Sequence, residues 1–165
     1  MLFLLVMIST LTYSQNFVKT TPKWYTNPPK ERGKIIGVGS GSSADIEVAE
    51  SKAIMNAKVQ LAKQVEPVIR KTYTKIDSVA KGDKIIAEKV TVVTEAVKAE
   101  LNGSVIVEKA FKRKKGHYTA YVLVKMDVKD MKKSFVEKVR NDEYLAKKLT
   151  KKGSSRSLVD DLELD

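Results

Sequence analysis

The chain has 165 residues, of which 42% are hydrophobic and 31% are charged, values typical of a single globular domain with its own core. Its 31 Lys and Arg residues outnumber 20 Asp and Glu residues, and the formal net charge of +11 favours anionic partners such as nucleic acid, lipid headgroups or acidic polysaccharide. The sequence contains no cysteine, which excludes disulfides, thiol nucleophiles and zinc–thiolate sites.

Residues 1–14 have the pattern of a signal peptide for export. An apolar run over residues 1–8 is followed by the serines and threonines expected near a signal-peptidase site. The run is shorter than the roughly 20 apolar residues that span a bilayer. We therefore predict a mature protein that begins at Gln15 and is periplasmic or associated with the outer membrane. The alternative interpretation is a buried N-terminal strand.

Residues 15–32 form a proline-rich segment that we predict to be extended. Three prolines exclude a helix there, because proline lacks the backbone N–H that a helix interior needs. Trp24, the single tryptophan, is expected to pin this segment onto the core. The alternative is an exposed aromatic residue that binds a partner.

A strand, a glycine turn and a long helix follow. β-branched residues within 35–38 indicate the strand, and Ser42 and Ser43 are expected to cap the helix. The alternating glycines that predict a sharp structural turn out of the sheet are Gly37, Gly39 and Gly41. A dinucleotide-binding loop is not expected, because Ser42 replaces its third glycine and acidic residues at the helix start would repel a phosphate. No cofactor is predicted.

One face of the long helix consists mostly of alanine. The residues on this face, at steps of three and four, are Ile46, Ala49, Ala53, Ala57, Leu61 and Val65. Small side chains let a second backbone approach, so we expect the helix to lie flat against the sheet or another helix. Pro67 should kink it, with helical spacing resuming and ending near Gly82. Asp83 can cap a further helix over 84–101, although β-branched residues 90–94 leave a strand open as the alternative.

Two strands, residues 104–112 and 117–126, are predicted to form a hairpin around a turn that contains Gly116. The residues expected on the core face are Val105, Val107, Phe111, Tyr118, Ala120, Val122, Val124 and Met126. The opposite face carries Tyr121 and Leu123, and we interpret it as partly covered and available for assembly.

A last helix is predicted over 128–149, with an interruption near Asn141 and Asp142. Residues 33–152 then form a single α+β domain, in which a small antiparallel three-stranded sheet packs against long helices in the order β-α-α-β-β-α. The acidic tail, residues 153–165, is expected to be disordered or to lie transiently on the basic last helix.

No pattern of residues predicts catalysis or a metal site. His117 is the single histidine, and at the edge of a hairpin it is expected to be a solvated strand residue. No G-x-S-x-G motif accompanies it, and the carboxylates fall at a helix start or in the tail. We therefore expect no enzyme activity, no catalytic residues, no cofactor and no metal.

Two basic clusters are candidates for contact with an anionic partner. They are Lys112, Arg113, Lys114 and Lys115 at the hairpin, and Lys132, Lys133, Lys147 and Lys148 on the last helix. The simpler interpretation is a solvated surface that keeps the protein in solution. Lysine exceeds arginine and export separates the protein from nucleic acid, so nucleic acid is disfavoured as the partner.

Four stretches resemble the LPP-twenty family of small bacterial envelope lipoproteins over residues 22–127: PKWYTNPP, the strand IIGVGSG, the alanine-spaced helix, and the strand GHYTAYVLVKM. The resemblance implies a mixed α/β domain at the outer membrane or cell surface, with a scaffold or interaction role and no known catalysis. Gly37, Gly39, Tyr118 and Tyr121 are the pattern positions, which are structural in the family. Without cysteine, the expected member of this family is not lipidated.

The predicted function is that of an exported, envelope-associated structural or interaction protein without catalytic activity. Its partner would be an anionic surface polymer or lipid, an envelope protein, or a second copy of the chain. The alternative is a basic nucleic-acid-binding module, which requires that residues 1–14 are retained.

Overall fold

Three antiparallel strands and five helices make up the part of the chain that the computed structural model describes, residues 16–80, 84–101 and 103–149. The predicted leader, Gln15, Gly82, Asp83 and the acidic tail lie outside the described residues. In chain order the elements are α1 (Lys23–Thr26), β1 (Lys34–Ser43), α2 (Ile46–Ala80), α3 (Lys84–Glu100), β2 (Val105–Lys114), β3 (His117–Asp127), α4 (Val128–Asn141) and α5 (Glu143–Leu149). The sheet order is β1-β3-β2, which confirms the predicted α+β class.

The alanine face of α2 lies directly on β1. Gly37, Gly39 and Gly41 are strand residues, and a Cβ atom at any of them would overlap the backbone of α2. The prediction of a glycine turn was therefore wrong: the glycines remove side chains between strand and helix instead of turning the chain. The predicted flat docking of the helix is confirmed, because Ala53 and Ala57 are fully buried against this strand.

The residue that caps the start of α2 is Asp45, and the prediction that Ser42 and Ser43 cap it was wrong. Its carboxylate accepts hydrogen bonds from the backbone N–H groups of Glu47 (2.7 Å) and Val48 (3.1 Å). Ser43 acts one step earlier, since its hydroxyl accepts from the N–H of Asp45 at 3.2 Å.

Side chains of α2 also close the outer edge of the sheet at β1. Gln64 donates to the carbonyl oxygen of Ile36 (2.7 Å), and Asn56 donates to that of Ser40 (2.8 Å). These bonds satisfy strand carbonyls that would otherwise be open to pairing with another chain.

The helix α2 continues through Pro67. The next segment is the helix α3, which confirms the predicted further helix, and its residues 90–94 do not form the alternative strand. Leu101 then takes a left-handed conformation with φ of 43°, which ends the turn of α3. The backbone N–H of Ser104 donates to the carbonyl oxygen of Leu101 at 3.0 Å and leads the chain into β2.

A two-residue turn joins β2 and β3. Lys115 and Gly116 have φ values of 48° and 79°, the combination of a type I′ turn, whose twist matches that of the flanking strands. On β3 the even-numbered residues face the helices, as predicted, and they are buried from Ala120 to Met126.

The start of β2 departs from the predicted alternation. The pairing with β3 shifts between Ile106 and Glu108, which marks a β-bulge. Beyond the bulge, Val105 is 56% exposed and Val107 is 45% exposed, so the prediction that both face the core was wrong. Phe111, on the other side of the bulge, is buried as predicted.

The N-terminal segment covers the outer face of the sheet. Tyr25 packs its ring on that of Tyr121 with centroids 4.9 Å apart, and its hydroxyl lies 3.0 Å from that of Ser40. Tyr121 and Leu123 are both buried within the chain itself, which contradicts their predicted availability for assembly.

One helical turn, α1, interrupts the segment that we predicted to be extended throughout. Pro22 precedes it with φ of −61°, an angle compatible with the start of a helix, and the prolines at 28 and 29 follow its end. Trp24 is only half-buried, with its ring 6.4 Å from that of Tyr25. Tyr25, which is also half-buried, makes the ring contact with Tyr121 that attaches this segment to the sheet.

The last helix is divided at Asp142, as the predicted interruption near Asn141 and Asp142 implies. The carboxylate of Asp142 accepts a hydrogen bond from the backbone N–H of Leu145 (3.0 Å) at the start of α5 and another from Lys89 of α3 (2.7 Å). These hydrogen bonds lower the pKa of Asp142 below its ordinary value of 3.8, and the one from Lys89 has the largest effect. Phe135 and Leu145 point inward and are fully buried.

Candidate functional site

The basic tip, which we define as Lys112, Arg113, Lys114 and Lys115, lies at the turn between β2 and β3. Arg113 lies over the ring of Tyr118, with its guanidinium carbon 5.3 Å from the centroid. The tip extends past the end of β1, since Ser43 pairs with Tyr118 while Lys114 pairs with His117. Neighbouring strand residues point to opposite faces, so the tip presents positive charge on both sides.

Ion pairing distinguishes the basic tip from six other lysines of the described structure. Within the described residues, no member of the tip has an ion pair. The lysines that do pair with a carboxylate are Lys34, Lys89, Lys98, Lys109, Lys125 and Lys138. The tip is therefore a concentration of positive charge that the described part of the fold does not neutralise.

The second predicted cluster lies elsewhere on the molecule. Lys132 and Lys133 belong to α4, and Lys147 belongs to α5, whereas the side chain of Lys148 lies outside the described residues. Since α4 begins directly after β3, this cluster and the tip are at opposite ends of that strand, which spans about 35 Å over its 11 residues. The fold does not combine the two clusters into one surface.

His117 lies at the base of the turn and is exposed. Its Nδ1 atom is 3.4 Å from the carbonyl oxygen of Lys115. In the described part of the chain, no three His, Cys, Asp or Glu residues gather where they could hold a metal ion. The absence of an enzyme activity, a cofactor and a metal remains a prediction.

Tyr118, one of the predicted structural positions, connects the tip to the N-terminal segment. It is half-buried, with Arg113 on one side and the ring of Phe17 6.4 Å away. Phe17 also lies 6.0 Å from Phe111, and backbone hydrogen bonds join residues 16–18 to Phe111 at 2.8 Å. The base of the hairpin is thus held by aromatic contacts while its cations remain in solvent.

The structure also contains an apolar groove that we did not predict. This α2–α3 groove has a volume of about 460 Å³ and opens beside the C-terminal end of α3. Its lining is Ser51, Ile54, Met55, Lys58, Val59, Ala62, Lys98, Ala99 and Leu101. The sequence signal for it is the step of four between Met55 and Val59, a second apolar stripe beside the alanine face of α2.

Comparison with known proteins identifies the family of the chain. A family model described as LPP20 lipoprotein matches residues 22–127, from the residue before α1 to the last residue of β3, and so includes the whole hairpin. No curated protein and no solved structure matches the chain. Among the helices that the structure describes, none has the length and apolar character needed to cross a bilayer. The chain belongs to the LPP20 lipoprotein family, and as a member it is an envelope-associated protein.

Proposed function

We propose that this protein is exported, has no catalytic activity, and binds an anionic envelope component through the basic tip. The observation that carries the proposal is that four consecutive cations without ion pairs in the described structure are held together at one hairpin end. Family membership supports the compartment, since anionic lipids and polymers are abundant at an envelope surface.

The tip suits contact with a charged surface for a physical reason. An unpaired cation needs to break no existing ion pair before it approaches an anion, whereas Lys98 would first lose Glu95 and Glu66. Each Lys or Arg near an anionic membrane surface contributes about 1 kcal/mol, and the contribution falls off within a Debye length. The type I′ turn holds four such charges within one hairpin end, so we expect them to act together.

Binding to vesicles tests the proposal directly. One variant replaces the tip cations with glutamine (K112Q/R113Q/K114Q/K115Q), and a matched control removes the same charge at the other cluster (K132Q/K133Q/K147Q/K148Q). Vesicles of phosphatidylcholine with a fixed fraction of phosphatidylglycerol are sedimented with each protein at low and at moderate salt. We expect at least a tenfold weaker affinity for the tip variant and less than a threefold change for the control.

Two results would refute the proposal. Equal losses in the two variants would mean that net charge alone governs binding, and salt-insensitive binding to neutral vesicles would mean that charge does not govern it. The export part has its own check, because mass spectrometry of the protein isolated from cells should find Gln15, not Met1, at its N-terminus.

A further inference from the structure

The α2–α3 groove is an apolar surface with no occupant among the described residues, and its chemistry restricts what can fill it. Met55 and Val59 are 60% and 48% exposed, although both are large apolar side chains. The only charged residues in the lining are Lys58 and Lys98, and no carboxylate lines the groove. Since Lys98 is already paired with Glu95 and Glu66, Lys58 is the lining cation without an ion pair in the described structure. The groove therefore suits a segment that is both apolar and acidic.

The chain itself contains one such segment, residues 158–165. Its sequence, LVDDLELD, consists of four apolar and four acidic residues and has no basic residue. Four of the 20 acidic residues of the chain fall within this short stretch, although the net charge of the whole is +11. This composition complements a lysine-flanked apolar groove better than it complements the exposed lysines of α4, which offer little apolar surface.

The connection between α5 and the segment is long compared with the distance along α3 from the contact of Tyr144 to the groove. Eight residues separate Leu149, the last residue of α5, from residue 158, and an extended chain of that length spans about 28 Å. Tyr144 of α5 already lies beside Lys89 of α3, whose Nζ atom is 5.6 Å from the ring centroid. Lys98, at the groove, is nine residues further along the same helix, which is about 14 Å along the axis and on the opposite side of α3, so the connection has to pass around this helix.

We propose that residues 158–165 occupy the α2–α3 groove of the same chain, with leucine side chains against Met55 and Val59 and carboxylates towards Lys58. Because the segment is tethered, its effective concentration at the groove is in the millimolar range, so a contact too weak to persist between separate molecules still forms.

Competition with a labelled peptide of residues 156–165 tests this contact in the full-length mature protein. In the tail variant, Leu158, Leu162 and Leu164 are changed to serine so that the apolar side chains of the segment are lost while its charges remain. We expect the peptide to bind the tail variant at least tenfold more tightly than it binds the unmodified protein. Far-UV circular dichroism confirms that each variant is folded.

Two further variants, made in the tail-variant background, locate the binding surface. M55K/V59K should weaken peptide binding at least tenfold, because it places charge on the apolar lining. The control V92K changes a residue of α3 that is 68% exposed and does not line the groove, and it should leave binding within twofold. Because neither change touches the basic tip, the outcome does not depend on the vesicle result.

Three outcomes of the peptide measurements would overturn the proposal. They are equal peptide affinity for the unmodified protein and the tail variant, no binding to either, and equal effects of M55K/V59K and V92K. A concentration-dependent dimer that the tail variant loses would place the segment in the groove of a second copy, which also contradicts the contact proposed here.

Discussion

Gly39 in β1 lies directly beneath Ala53 in α2, so close that a Cβ atom on Gly39 would overlap the carbonyl oxygen of Ala53 and lie 2.9 Å from the Cα atom of Ala57. Gly37 and Gly41 lie two residues from Gly39 on either side, and a Cβ atom at either position would also overlap the backbone of α2. The distance between helix and sheet is thus set by backbone against backbone.

Substitution of Gly39 by alanine should destabilise the protein by about 3 kcal/mol, because strand and helix must separate to admit a methyl group. The control is Gly116→Ala, where no heavy atom lies within 4 Å of the added Cβ and only the positive φ is unfavourable, at about 1 kcal/mol. Urea denaturation measures both changes. A cost for Gly39→Ala no greater than that of the control would refute the close approach.

Tyr25→Ala should release the N-terminal segment from the sheet and lower the free energy of unfolding by about 2 kcal/mol, because it removes the ring contact with Tyr121 and the contact with Ser40. Trp24→Ala should cost only about 1 kcal/mol, since the ring contact of Trp24 is with Tyr25 of the same segment. Limited proteolysis within residues 16–32, followed with time, provides a second readout. Faster cleavage of the Trp24 variant than of the Tyr25 variant would contradict this assignment.

Asp142 should make stability depend on acid. Its pKa is lowered in the folded state by the hydrogen bonds from Lys89 and Leu145, so its contribution is present above the ordinary value of 3.8 and is lost as the pH falls through the folded pKa. The unmodified protein should therefore exceed D142N in stability at pH 6, and this difference should shrink below pH 3.8. Chemical denaturation at a series of pH values measures it.

Lys89→Gln tests the same contact from the other partner. It should reduce the same acid-dependent difference, and the double variant should lose less than the sum of the two single losses, because both remove one interaction. A difference between unmodified protein and D142N that stays constant from pH 6 to pH 2.5 would show that the ion pair does not couple to folding.

Lys115→Asn should raise the free energy of unfolding by about 0.5 kcal/mol, because Lys115 has φ of 48° and asparagine adopts this left-handed conformation at lower cost. The neighbouring Lys114→Asn removes the same charge from a strand position and should lower stability, since asparagine is disfavoured in strands. Thermal and urea denaturation of the two variants compare them. Stabilisation by both would indicate relief of charge repulsion instead of relief of backbone strain.

The elements were predictable from the sequence where one local pattern determines them. The alanine spacing from Ala49 to Val65 gave the buried face of α2, and Gly116 between two alternating runs gave the hairpin. The glycines of β1 were misinterpreted because a glycine that turns the chain and a glycine that admits a helix look identical in sequence. The helix backbone that distinguishes the two cases comes from residues 8 to 24 positions later.

Two other differences between prediction and structure concern the faces of the residues at the start of β2 and the ring that contacts Tyr121. A single bulge between Ile106 and Glu108 reverses the faces of the residues before it, and one extra residue in a strand leaves no mark on the alternation of apolar types. Trp24 was singled out as the only tryptophan, whereas the ring contact with Tyr121 is made by Tyr25 and depends on which way α1 turns its rings.

The candidate site was predictable to the extent that it is contiguous in the chain. Lys112 to Lys115 are consecutive, so their cluster at one hairpin end follows from the turn alone. Their separation from the lysines of α4 depends on the topology of the fold, because the tip lies at the start of β3 and α4 begins at the end of that strand. The α2–α3 groove combines residues from positions 51–62 and 98–101, a pairing that no local pattern records.

The central claim is that the basic tip binds an anionic component of the envelope. Fractionation of cells that produce the full-length chain tests this claim in the envelope itself. The unmodified protein and the variant K132Q/K133Q/K147Q/K148Q should sediment with envelope membranes and be released by high salt, because screening weakens their contacts. The variant K112Q/R113Q/K114Q/K115Q should be exported equally well yet remain in the soluble envelope fraction at low salt. Retention of that variant on the membranes, to the same extent as the unmodified protein, would contradict the account.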